Sequence, residues 1–385
     1  MKKIGIITHY YKSVNFGGNL QAFALCRQLE KIGFYAEQIQ TPLSGNGTLR
    51  NNYFKIVFIK GIGRICSSIK NKFFSLLNKK KIEKSKKIRE ESFFNFNQKV
   101  IPHSDKVYTR DNIKTCVKNY DFFITGSDQV WNIIGYNPSF FLDFVPSDKP
   151  KISYAASISL DYLTPIQQEI FKKHLKDFSA ISVREDNAIS LIKDISPVKP
   201  VLTLDPTLLL EKEDWNQVCA PKQIEEDYAL CYFLGNNKNS RKIAKSFAKQ
   251  RNIKLVTIPM CNFGYNPVDK NFGDISLPFS SPEQFLSLIK HAKYVFTDSF
   301  HAVVFSFIYQ KEYYVFNRSK NGELSSRITN ITRLFESEDR FCQGKNENLD
   351  YLLNLPKLDY NKEFKSFESL KIESINFLKE ALGVH

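Results

Sequence analysis

The sequence predicts an α/β protein built from two Rossmann-like domains that face a cleft. Three observations lead there. Short β-branched and aromatic runs alternate with segments of helical period in two blocks, one ending near residue 207 and one starting near 228. The apolar runs end in glycine or polar turns, as strands feeding helices across a parallel sheet do. A chain of 385 residues with 42% hydrophobic and 14% aromatic content is long enough for two cores.

The first block opens with a strand at 3–8. A polar, glycine-containing loop follows at 13–19, then a helix over 20–32. Ala22, Leu25, Cys26, Leu29 and Ile32 share one face of it and Gly33 stops it. Residues 34–40 form the second strand. Strands are expected again at 121–125, 151–155, 180–183 and 201–204, with helices at 166–176 and 185–192. Asp205-Pro206-Thr207 breaks the last strand, and 208–227 reads as a linker with a short helix. The second block predicts strands at 228–234, 254–258, 294–297 and 312–316 and helices at 240–250, 282–291, 302–309 and 326–335. A charged amphipathic helix at 361–382 closes the chain. The domain bounds are thus 1–207, 228–358 and a terminal helical segment at 359–385.

The region 50–100 interrupts the first block as a basic helical insertion. Between Lys55 and Glu90 there are 12 Lys or Arg against two acidic residues, a large part of the +15 net charge. Apolar residues from Phe54 to Leu76 recur every three or four positions, and a second, more polar helix covers 82–97. Either the lysines are a solvated face of helices packed on the domain, or 54–90 lies on an anionic membrane surface. No nucleic-acid motif accompanies the charge, so nucleic acid is not an expected partner.

Other classes lose ground. No apolar run is long enough to span a bilayer. Met1–Thr8 is basic and then apolar, but too briefly for a secretory leader, so it reads as the first strand of a cytoplasmic protein, peripheral at the inner membrane face if the basic segment binds lipid. The seven cysteines are scattered and contain no CxxC pair, which fits reduced thiols and argues against zinc. HExxH, Walker and GxGxxG patterns do not occur, so neither a metal nor a bound cofactor is expected.

Four loops at predicted strand ends are candidate binding loops. In the first, Asn15, Gly17, Gly18, Asn19 and Gln21 either let a ligand approach or form a turn and helix cap. The second holds Ser127, Asp128 and Gln129, with Trp131 as a ring that could stack on a sugar. The third carries Arg184 at the exit of a buried strand. Its partner is either a carboxylate or phosphate ligand, or Glu185, Asp186 or Asp205. The fourth is Thr297-Asp298-Ser299-Phe300-His301, in which Asp298 or Ser299 caps a buried helix and His301 sits in its first turn. Ligands bind at such strand ends in open α/β sheets, and anions at helix N-termini; a core histidine bonded to a neighbour is the plainer alternative. One histidine, one arginine and several amides suit an anionic small substrate with a proton to be moved.

These segments, taken in order, resemble the polysaccharide pyruvyl transferases. The likeness runs through Ile4–Thr8 with Gly18–Leu25, Asp121–Asn132, Lys151–Ser157, Ser182–Glu185, Leu204–Thr207 and Thr297–His301. It implies a fold like that of the GT-B glycosyltransferases and transfer of pyruvate from phosphoenolpyruvate, a co-substrate, to a sugar of a cell-surface polysaccharide or its lipid-linked precursor. The product would be a pyruvate ketal. It further implies His301 as general acid or phosphate-binding imidazolium, and Arg184, Ser299 and Arg327 around phosphoenolpyruvate. Asn15, Gly17, Gly18, Asn19, Gln21, Ser127, Asp128, Gln129 and Trp131 would line the acceptor side or cleft. Some relatives carry arginine where this chain has Ser299, so either another basic residue, such as Arg327, Arg318 or Arg241, balances the phosphate, or donor binding differs. A nucleotide-sugar glycosyltransferase and a non-enzymatic glycan-binding protein are the alternative functions.

Overall fold

The computed structural model describes residues 1–42, 79–133, 136–259, 267–318 and 326–384. Expectations for 54–76 lie outside them.

The first domain runs β1 (Lys3–Ile7), α1 (Phe16–Lys31), β2 (Tyr35–Gln38), α2 (Lys79–Val100), β3 (Phe122–Thr125), β4 (Lys151–Ala156), α3 (Pro165–Leu175), β5 (Ala180–Val183), α4 (Asp186–Ile192) and β6 (Val201–Leu202). Helix α5 (Lys212–Val218) bridges to the second domain. That domain runs β7 (Tyr228–Tyr232), α6 (Lys238–Gln250), β8 (Lys254–Thr257), β9 (Ile275–Ser276), α7 (Pro282–His291), β10 (Tyr294–Thr297), α8 (Phe300–Ile308), β11 (Glu312–Phe316), α9 (Ser326–Leu334), β12 (Phe341–Cys342) and α10 (Leu349–Asn354). Helix α11 (Lys365–Ala381) ends the described chain.

The strands form two six-stranded sheets, ordered β2-β1-β3-β4-β5-β6 and β12-β11-β10-β7-β8-β9, with every pairing parallel. In each, the chain starts in the middle, winds one way and then reverses. The reversals fall between β1 and β3 and between β7 and β10, which opens a crevice at the carboxyl ends of those pairs. The central strands read as unbroken apolar runs because helices cover both faces.

Three expectations shift. Helix α1 begins at Phe16 rather than 20, because the Asn15 side chain accepts the Gly17 and Gly18 amides and starts the helix four residues earlier. Its end is as expected, with Gly33 at φ 95. The edge strands β9 and β12 have two residues each, too few to leave a periodic signal. Helix α2 is longer than the 82–97 expected and packs on the domain. Phe93 and Phe96 are buried in the core, and Arg89 lies over the rings of Phe16 and Phe93 while donating to Pro278 O in the second domain. On its outer side, Lys86 and Lys87 pair with Glu90 and Glu91 one turn on.

The domains meet over an apolar seam. Phe16 at the start of α1 stacks on Phe285 of α7 at 4.3 Å and meets Tyr232 edge-on. Trp215 of α5 packs between Phe23 of α1 and Phe305 of α8. Helix α11 returns to the first domain, where Ser374 Oγ accepts the Leu204 amide and Phe377 meets Tyr154. The carboxyl ends of the two sheets are thereby held face to face. Among the described residues no helix is long and apolar enough to cross a membrane.

Candidate active site

The residues following β1, β3, β4, β5, β6 and β10 converge where the two sheets face each other. At the centre is Asp205, its side chain fully buried. Oδ2 accepts from Arg184 Nη1 at 2.6 Å and Ser127 Oγ at 3.2 Å, and stands 3.6 Å from His301 Nε2. Oδ1 accepts from the amide and hydroxyl of Thr207. Burial alone would raise this carboxyl. His301, Arg184 and Thr207 outweigh burial and hold it well below the usual carboxylate range.

Arg184 therefore has the salt bridge that was one of its two alternatives. Nη1 goes to Asp205 and Nη2 to Asp128 at 3.4 Å, and the guanidinium lies over the Phe300 ring. Its Nε is buried without a hydrogen-bond partner among the described residues. Asp128 sits at φ 65, a left-handed backbone that aspartate tolerates. Against the cost of burial, Arg184, His301, His9 and Arg327 keep its carboxyl ionised below its ordinary range.

His301 occupies the first turn of α8, and Ser299 is the N-cap residue, although its hydroxyl makes no capping bond. Asp298 does not cap. Its carboxylate takes the Leu234 and Gly235 amides at 2.6 and 2.8 Å, tying β10 to β7 across the second crevice. The His301 ring rests on the first turn of α1: a Cβ on Gly17 would fall 1.9 Å from its Nδ1. Gly17 is thus glycine to make room for the histidine, and His301 Nε2 is buried without a hydrogen-bond partner among the described residues.

Arg327 stands half-buried at the start of α9. With its amide oxygen turned inward, Gln129 accepts from both Nη atoms of Arg327, at 2.8 and 3.1 Å, and from Ser159 Oγ. Burial and the neighbouring Arg184 push the Arg327 guanidinium down to about 10, the mark of a cation short of countercharge. Arg318 donates from Nε to Asp298 O beside it. Arg241, the third cation considered, belongs elsewhere. It bonds Asp269 at 2.8 Å and stacks on Phe233 in the core of the second domain.

One acceptor-side expectation is corrected, and the first loop follows the turn-and-cap alternative. Trp131 offers no face to a sugar. It is fully buried, stacks on Phe141, meets Phe171 and Phe178 edge-on and donates to Phe140 O. Gln21 is a brace whose amide joins Thr8 Oγ1, Gly18 O and the Ser127 amide. Asn19 is buried and ties α1 to the Ser13 and Asn15 carbonyls, and Asn15 is the helix cap. Gly18 lies against the His9 carbonyl. Ser127, Asp128 and Gln129 do come together at the cluster.

Sequence reasoning missed Asp205 as the hub, and also Glu185 and His9. Glu185 is buried, with Oε1 accepting the Ile158 and Ser159 amides and the Ser157 hydroxyl while Oε2 has no hydrogen-bond partner among the described residues. His9 follows β1 as Ser127 follows β3 and Arg184 follows β5, and that shared position was the signal available. Among the described residues no group of three or more His, Cys, Asp or Glu side chains could hold a metal.

Two facing Rossmann-like domains with the site between their carboxyl edges make this a GT-B-type protein. Solved structures agree on the fold. The UDP-GlcNAc 2-epimerase of Methanocaldococcus jannaschii superposes with a TM-score of 0.53 at 12% identity, covering 97% of this chain and 99% of its own. The S. aureus MnaA–UDP co-structure gives 0.51 at 12% identity, covering 100% and 98%. At such identities the likeness is one of fold. Comparison with curated proteins gives no match. The polysaccharide pyruvyl transferase family model matches residues 15–320, and the chain belongs to that family.

Proposed function

We propose that the protein transfers pyruvate from phosphoenolpyruvate to two hydroxyls of a glycan or lipid-linked sugar, forming a ketal and releasing phosphate. The observation that carries this is the set of buried, unsatisfied polar atoms at one point. Among the described residues Arg184 Nε and Glu185 Oε2 have no hydrogen-bond partner, His301 Nε2 has only the Asp205 carboxylate at 3.6 Å, and Arg327 is desolvated beside them. Buried polar groups without partners are costly, and a polar ligand between the domains would satisfy them.

Family membership supports pyruvyl transfer, and the chemistry of the residues suits an enol phosphate. Arg327, Arg318, the free Ser299 hydroxyl and the N-terminus of α8 are the groups for its carboxylate and phosphate. His301 gives a proton to the methylene carbon, and C2 becomes electrophilic. The first sugar hydroxyl attacks C2. The second then attacks as the C2–O bond to phosphate breaks, which closes the ketal. Asp205 orients His301 and balances its charge. Arg184 is a positioning residue, since carboxylates hold both its Nη atoms.

The test is phosphate release from phosphoenolpyruvate with a defined sugar acceptor, with the ketal identified by NMR. His301→Ala should lower turnover by about 10²–10⁴-fold, the usual worth of general acid catalysis. Near-normal turnover of that variant would sink the assigned role. Thermal protection by UDP but not by phosphoenolpyruvate would favour a nucleotide-sugar transferase instead.

A further inference from the structure

We propose that His9 is the base that takes the proton from the attacking hydroxyl of the acceptor sugar. This rests on the pyruvyl-transfer reading above, which supplies an acid but leaves the hydroxyl protons without a destination.

His9 stands at the carboxyl end of β1, at the reversal of the first sheet, while His301 approaches from the second domain. The Asp128 carboxylate feels both imidazoles. Nε2 of His9 lies 3.2 Å from the Gln129 carbonyl oxygen. A carbonyl can only accept, so Nε2 carries the hydrogen and Nδ1 holds the free lone pair. Nδ1 has no hydrogen bond among the described residues, and it is not among the buried polar atoms that lack a partner. The Phe140 ring against the imidazole, 4.2 Å between centroids, fixes its plane. Burial keeps the resting ring neutral, against the pull of Asp128, the charged group that faces it. Once the ring is protonated, Asp128 stabilises the imidazolium.

The proton count closes over one turnover. As the first hydroxyl oxygen bonds to C2, its proton moves to His9 Nδ1 while His301 protonates C3. As the C2–O bond to phosphate breaks, the His9 proton leaves with the phosphate. The proton of the second hydroxyl restores His301. Two hydroxyl protons enter, one ends on the new methyl group and one on phosphate, and both histidines are reset.

The test uses the full chain. Nitrogen-15 NMR of the histidine rings should find His9 as the Nε2–H tautomer, still neutral at pH 6.5. An Nδ1–H tautomer, or a ring already charged at pH 7, overturns the proposal whatever the substrate. His9→Gln should lower kcat by about 100-fold or more, with KM for phosphoenolpyruvate within about threefold of the parent. It should also lose the acid limb of the kcat profile, because that limb reports the base becoming protonated. Added imidazole should partly rescue His9→Ala, as it would not for a merely structural histidine. A His9→Gln enzyme of near-parental kcat with its acid limb intact refutes the base while leaving pyruvyl transfer standing. A parent that releases no phosphate refutes both.

Discussion

Removing the charge of Asp205 tests the central feature of the site. Asp205→Asn keeps the shape and the Thr207 contacts but leaves Arg184, with only 2% of its side chain exposed, facing Asp128 at 3.4 Å alone. Breaking one partner out of a buried charge cluster costs about 3–5 kcal/mol. For a domain of about 200 residues this lowers Tm by roughly 10 °C. Urea denaturation measures the loss directly. Arg184→Gln in the same background should recover part of it, because the orphaned charge then disappears. The carboxyl titrates lower in the folded chain than its ordinary 3.8. Its contribution is therefore complete above that value and is lost as pH falls through it toward the folded value, where stability drops with acid. Asp205→Asn should flatten that acid decline. A loss below about 1 kcal/mol, the level of an exposed ion pair, would refute the reading of Asp205 as a buried hub.

Two further expectations separate positioning from stability. Gly17→Ala puts a methyl where the His301 ring lies, so turnover should fall by about 10²-fold. Displacing the buried ring should also cost about 1–3 kcal/mol of stability, and calorimetry beside kinetics separates that loss from the loss of turnover. Trp131→Phe should cost about 1–3 kcal/mol through lost packing and the lost indole bond to Phe140 O, with the acceptor KM unchanged. A selective rise in that KM would restore Trp131 as a sugar platform.

Much of the architecture was legible in the chain. The strands ending at Val183, Thr297 and Phe316 and the helix from Pro282 to His291 fall where alternation, proline and capping residues put them. The loops at the carboxyl ends were also legible, since turn residues after apolar strands are a local signal. The early start of α1 was not, because glycines inside a helix read locally as a loop. Here Gly17 answers to a ring almost 300 positions away.

By itself, then, the sequence determined two parallel sheets, the edge of each that carries the candidate loops, and a histidine in the first turn of a buried helix. Only the tertiary structure decided what those residues touch. It made Trp131 core, Gln21 a brace and Arg184 a partner of Asp205, and it brought His9 and His301 within electrostatic reach of Asp128. The reason is one of range. Hydrogen-bond periodicity and turn chemistry act over a few residues of chain. The partner of a buried charge is chosen at about 3 Å through space, between residues such as Ser127 and Asp205 that stand 78 positions apart.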